Sequence, residues 1–151
     1  MSATPAVLFV CVKNGGKSQM AAALMRQVAG DLVEVPSAGP HPGTAINALS
    51  AQVVAEVGAD MSGEHPRPVD PRLLARVDRT IVLGAEAVVA PVPGMRGDIE
   101  TWETDEPSAR GIEGIVRMRL VRDDILTRVR ALARELTSVG GSAGQGSPPP
   151  R

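Results

Sequence analysis

The chain's one cysteine is Cys11, and Lys17 and Ser18 follow it across Val12-Lys13-Asn14-Gly15-Gly16. A thiol, a lysine, a hydroxyl and two adjacent glycines so close together are the parts of a nucleophilic, anion-holding loop. The glycines let successive backbone N–H groups converge without Cβ crowding. A run of such N–H groups makes a nest for an anion. A helix starting at Lys17 would add its unpaired N-terminal donors and the positive end of its dipole. The same field favours the thiolate form of Cys11, and Ser18 is placed to donate a hydrogen bond to the sulfur. A tetrahedral oxyanion is therefore expected on Val12, Lys13, Asn14, Gly15, Gly16, Lys17 and Ser18, with Cys11 beneath it.

The flanking sequence supplies the frame this loop needs. Val7-Leu8-Phe9-Val10 is apolar without alternation, as in a parallel strand buried on both faces. Lys17 to Gly30 reads as a helix with Met20, Leu24 and Val28 on one stripe and Gly30 as its stop. Leu32 to Val35 reads as a second strand ended by Pro36. Thr44 to Val57 reads as a second helix capped by Thr44, with Ile46, Leu49, Val53 and Val57 as its apolar stripe. A short helix is expected at Pro71 to Val77, and strands at Thr80 to Leu83 and Asp98 to Trp102. In the last helix Ile115, Met118, Val121, Ile125, Val129, Leu132 and Leu136 keep a helical period. Strands alternating with helices imply an α/β fold with a parallel sheet. In such sheets ligands sit at the carboxyl ends of strands, where strand order reverses. Cys11 ends the first strand.

Composition narrows the function. The 16 Lys and Arg nearly cancel the 17 Asp and Glu, so no global field draws in nucleic acid or an anionic membrane. One Phe, one Trp and no Tyr leave no aromatic platform for stacking bases. A single cysteine forbids an intramolecular disulfide, and the apolar run at residues 6–11 is too short for a membrane span. A cytoplasmic, monomeric protein is expected. Residues 1–137 read as one domain. Residues 138–151, rich in Gly, Ser and Pro, read as a disordered tail. His41 and His65 stand in Pro/Gly-rich loops without ligand spacing, so no metal site and no resident cofactor are expected.

The string Val7 to Ala21 resembles the active-site segment of the low-molecular-weight tyrosine phosphatase superfamily, and Gln19-Met20-Ala21 resembles its arsenate-reductase branch. The likeness continues through Pro36-Ser-Ala-Gly39, Glu56 to Ser62, Val77 to Gly84 and Trp102 to Pro107. Lysine at position 17, the Asn14 to Ala21 string, Thr104 to Ser108 and Arg110 to Gly114 are most similar to the single-cysteine arsenate–mycothiol transferases. The resemblance implies a three-layer fold, with a four-stranded parallel sheet flanked by helices and an N-terminal phosphate-type loop. It implies arsenate as substrate, mycothiol as thiol cosubstrate and a mycoredoxin as downstream reductant. It also implies that Cys11, Lys17 and Ser18 are catalytic, and that Asp105 or Glu106, before Pro107, is the general acid.

Departures from the phosphatase pattern carry their own expectations. Lysine offers a point charge where arginine would grip oxygens with a planar fork, so phosphoester hydrolysis should be poor. Ser108-Ala109 stands where the eukaryotic-type relatives carry an aromatic pair. With no second cysteine, any redox outcome needs an external thiol. A phosphatase acting on small phosphoesters and a non-catalytic oxyanion-binding module are the alternatives.

Overall fold

The computed structural model describes residues 4–141 of the chain. Four parallel strands form one sheet: β1 (Val7–Val10), β2 (Ser37–Ala38), β3 (Arg79–Leu83) and β4 (Asp98–Trp102), in the order β2-β1-β3-β4. The chain steps from β1 to β2 on one side and returns to β3 on the other. Strand order therefore reverses at β1, and the loop that begins at Cys11 leaves from the reversal point.

Both faces of β1 are buried, which is why its sequence does not alternate. Val7 and Phe9 point into a core shared by α1 (Lys17–Ala29), α2 (Ala48–Ala55) and α4 (Gly114–Gly141). Leu8 and Val10 point into a smaller core that includes Leu74 and Val77, from α3 (Pro71–Arg76) and the residue after it. These are the three layers the sequence implies. Met118, Val121, Ile125, Val129, Leu132 and Leu136 of α4 are buried against α1 and α2 in the core that Phe9 and Ile81 of the sheet share, and Ile115 packs at the edge of the same core. Trp102 closes that core with its ring 5.9 Å from Phe9. Arg122 of α4 reaches across to α2, donating to Val53 O at 3.0 Å and to Glu56 at 2.8 Å, while Arg119 holds the same carboxylate with two nitrogens.

Three elements differ from the sequence reading. The second strand is Ser37–Ala38, not Leu32 to Val35. Gly30 ends α1 with φ +56, and residues 30–32 close a 3-10 turn that leaves Leu32 exposed. The chain then runs beside β1, with Glu34 bonded to Pro5 and Val7 and the Pro36 carbonyl to Phe9. Pro36 has no N–H to donate, so a regular ladder begins only after it. The second helix starts at Ala48, not Thr44. Its cap is Asn47, whose Oδ1 accepts from Ser50 N at 2.8 Å. Residues 41–47 are instead drawn into the Cys11 loop, as described below. On the stripes, Val28 and Leu49 are exposed, and Ser50, Val53 and Val54 form the buried face of α2. The third helix ends at Arg76, one residue early, with Val77 as its cap. Helix α4 runs on to Gly141. The rest of the segment expected as a tail, residues 142–151, lies outside the described residues.

Two measurements test this packing. Ile125→Ala, at a fully buried position, should cost about 2–5 kcal/mol in denaturant unfolding, with an unchanged slope. The clamp on Glu56 has a pH signature. Its carboxyl is held below the usual 4.5, first by the hydrogen bond from Arg119 and then by that from Arg122. A depressed folded-state pKa stabilises above the unfolded value and is lost as pH falls through the folded one. Glu56→Gln should therefore be less stable than wild type at neutral pH, and the gap should close as the pH drops below the ordinary glutamate range.

Candidate active site

The loop from Cys11 to Ser18 joins β1 to α1. Its carbonyls are held from outside. Val12 O accepts from His41 N at 2.9 Å, Lys13 O from Gly43 N at 2.9 Å, Asn14 O from Gln19 Nε2 at 3.2 Å and Gly15 O from Asn47 N at 2.8 Å. The N–H groups of Val12 to Lys17 take no protein acceptor among the described residues. With four consecutive carbonyls engaged elsewhere, these N–H groups are left as donors, which is the construction of an anion nest. They adjoin the uncapped start of α1, whose dipole adds to them.

Asn14 fixes the turn. It is the one described non-glycine residue with positive φ, +52, in the left-handed region that asparagine tolerates better than most residues. Its buried carboxamide works at both ends. Oδ1 accepts from Arg67 N at 2.9 Å and Gln19 Nε2 at 3.2 Å, and Nδ2 donates to Ser18 Oγ at 2.7 Å. Ser18 Oγ lies 3.0 Å from Cys11 Sγ, and Ser18 N donates to the same sulfur at 3.4 Å. Since Nδ2 can only donate, Ser18 accepts from Asn14 and is free to give its own proton to the sulfur. Gly39 lies against the back of the loop. A Cβ there would come within 2.5 Å of Cys11 O and 2.7 Å of Val12 O, so the loop can approach only a glycine.

The acidic segment comes to the loop mouth through Glu106. Lys17 Nζ donates to Glu106 Oε2 in a short ion pair, and Arg117 Nη2 stands 3.7 Å from Oε1 of the same carboxylate. Asp105 is held differently. Arg110 binds both its oxygens at 2.8 and 3.3 Å, and its backbone N–H donates to Asp124. The Arg110 hydrogen bond is the main reason the Asp105 carboxyl lies below its usual range. With both oxygens on Arg110, Asp105 anchors the segment and does not face the loop.

The structure thus brings Cys11, Val12 to Ser18 and Glu106 together and turns the Asp105 side chain to Arg110. The sequence reading missed the carboxamide work of Asn14, the closeness enforced at Gly39 and the reach of Arg117. For Asn14 a signal existed, since asparagine before two glycines marks a left-handed turn. For Arg117 no signal along the chain existed, and only the fold shows its guanidinium beside Glu106. Trp102 lies in the core, and Arg119 is occupied on α2. No group of three metal-ligating side chains occurs among the described residues, and no described helix is long and apolar enough to cross a membrane. Asn14→Ala should cost about 2–4 kcal/mol, because it leaves buried partners unpaired in a left-handed turn. Asn14→Gly should recover only the backbone share, about 1–2 kcal/mol. Denaturant midpoints of the two variants against wild type check both figures.

Residues 6–140 match the family model of the low molecular weight phosphotyrosine protein phosphatases. An arsenate reductase of Halalkalibacterium halodurans is 30% identical over 131 residues, covering 84% of this chain and 94% of that protein. A solved thioredoxin-dependent arsenate reductase of Corynebacterium glutamicum superposes with a TM-score of 0.74 at 32% identity. That alignment covers 91% of this chain and 64% of the other, so this chain spans less than two-thirds of that relative's length. A second solved structure, an arsenate reductase in the phosphate-binding state, superposes with a TM-score of 0.75 at 25% identity, covering 87% and 98% of the two chains. With a match this long, on a sheet whose reversal point carries a cysteine-headed loop of free N–H groups, the chain belongs to the low-molecular-weight phosphotyrosine protein phosphatase family.

Proposed function

We propose that this chain is an arsenate reductase of the transferase type, which passes arsenate to a low-molecular-weight thiol, mycothiol by sequence resemblance. One observation carries the reading. The carbonyls from Val12 to Gly15 are tied outward while the N–H groups from Val12 to Lys17 stay free beside the chain's single thiol. Arsenate is a tetrahedral oxyanion of the charge such a nest accepts, and the relatives named above are arsenate reductases.

In this mechanism arsenate sits on the N–H groups of Val12 to Ser18, with Lys17 neutralising it and Cys11 Sγ beneath the arsenic. A thiolate sulfur forms a bond to arsenic as one oxygen departs, protonated, as water. Glu106, paired with Lys17 at the loop mouth, takes the proton that the attacking thiol gives up and passes it to that oxygen. Arsenic is still pentavalent in the arseno-thiol product. The two electrons arrive in a separate step, when a redoxin thiolate, by resemblance that of a mycoredoxin, attacks the sulfur of the arseno-thiol. That forms a mixed disulfide and releases arsenite. A chain with one cysteine cannot supply those electrons by closing an internal disulfide.

The surroundings do not favour an aryl phosphate. A groove of about 540 Å³ adjoins the loop, lined by Lys13, His41, Thr44 and Asn47 together with Pro42 and Ala45. The Glu106 segment continues into Ser108 and Ala109, with no aromatic ring to clasp a phenyl ester.

Arsenate turnover should appear when the full chain is supplied with mycothiol and a mycoredoxin. It should be absent with thioredoxin as sole reductant and abolished by Cys11→Ser. Hydrolysis of a small phosphoester with no arsenate turnover in either system would make the protein a phosphatase. Arsenate binding without any turnover would make it a binding module. Within the turnover assay, Glu106→Gln should lower kcat by about 10²-fold or more, as loss of a proton-transfer group does. Asp105→Asn should cost clearly less, since its carboxyl serves Arg110; the reverse order would move the acid to Asp105.

A further inference from the structure

Lys17 has two claims on its charge. In the structure it is paired with Glu106, whereas in the proposed function it must neutralise the oxyanion. Were Glu106 simply abandoned, an uncompensated carboxylate would face the incoming anion across the loop mouth. Arg117 stands on the far side of that carboxylate. Its Nη2 is 3.7 Å from Oε1, the oxygen that Lys17 does not hold. That separation is ion-pair distance but longer than a hydrogen bond, so the contact has room to tighten.

The remaining contacts of Arg117 fit an arginine held in readiness. Its Nε is buried with no hydrogen-bond partner among the described residues, and its Nη1 meets only the sulfur of Met118, at 3.9 Å. A buried donor without a partner is uncommon and costly in a folded protein. Arg117 also lies in the first turn of α4, which has no acidic residue to balance it. A cation there faces the positive end of the helix dipole, so helix stability does not account for it. Glu113, one turn before, gives Arg117 only a backbone carbonyl.

We infer that Arg117 is a positioning residue that takes Glu106 over from Lys17 when an oxyanion enters the loop, so that Lys17 is released to the anion and Glu106 stays matched and aimed at the site. The inference rests on the oxyanion site proposed above. It assigns Arg117 no contact with the anion and no proton; it acts through Glu106.

Titration of inorganic phosphate into the full chain by calorimetry tests it, because binding needs neither thiol nor redoxin. Arg117→Ala should weaken phosphate about two- to fivefold, the upper range of a partly exposed charge coupling. Arg117→Lys should restore most of that loss. Glu106→Gln removes the competitor for Lys17 and should bind phosphate more tightly than wild type. In the Glu106→Gln background, Arg117→Ala should then change the affinity by less than about twofold, a non-additivity that only coupling through Glu106 produces. An equal loss in both backgrounds would mean that Arg117 touches the anion itself and would overturn the inference. So would an unchanged affinity in Arg117→Ala. A wild type that binds neither phosphate nor arsenate would overturn the oxyanion site, and this inference with it. Thermal midpoints of each variant, with the Arg117→Lys rescue, separate a weakened fold from a weakened site.

Discussion

The carboxamide of Asn14 is where β1, α1 and the segment at residues 65–67 meet, and the geometry of the loop follows from it. It accepts from Arg67 N and Gln19 and donates to Ser18, and Asn14, Gln19 and Ser18 are themselves out of contact with water. Hydrogen bonds in such surroundings polarise one another, and leaving one unmade is costly. Because Ser18 accepts from Asn14, its own proton is available to Cys11. The carboxamide also holds its residue in the left-handed turn from which Gly15 and Gly16 lead into α1. A single side chain thus ties the direction of the hydroxyl to the path of the backbone.

Around this neutral web lies a charged rim with more cation than anion. Lys17, Arg110 and Arg117 face Asp105 and Glu106. Each carboxylate is tied differently. Asp105 is gripped by a guanidinium fork, a strong geometry for a carboxylate, which anchors the 3-10 turn at Pro107–Arg110. Glu106 is shared between a lysine and a more distant arginine, an arrangement that can change partners. Lysine at position 17 suits that exchange better than arginine, because an ammonium has no preferred plane and swings on a flexible stem.

The single thiol sets the chemical limit. A chain with one cysteine has no second sulfur with which to take an oxidising equivalent. The chain has no tyrosine, and Ser108 and Ala109 follow the Glu106-Pro107 pair.

Much of the frame was legible in the residue order. The unalternating Val7 to Val10, the Gly15-Gly16 pair before Lys17-Ser18 and the period of Met118 to Leu136 are short-range signals, each set by the chemistry of neighbours along the chain. They gave the parallel sheet, the site of the loop and the helix that covers the sheet. The second strand and the second helix were misplaced because residues 32–47 are governed by distant groups. Pro36 meets β1, Gly43 and Asn47 bond to the loop, and Asn47 rather than Thr44 caps α2. The sequence alone determined that there is one thiol, a glycine pair with Lys17 and Ser18 just after it, and no second cysteine. Only the tertiary structure decided that Glu106 reaches Lys17, that Arg110 claims Asp105 and that Arg117 stands behind Glu106. These pairings join residues from β1's loop, the segment after β4 and the start of α4, and an ion pair forms where folding brings charges within a few ångströms, whatever their distance along the chain.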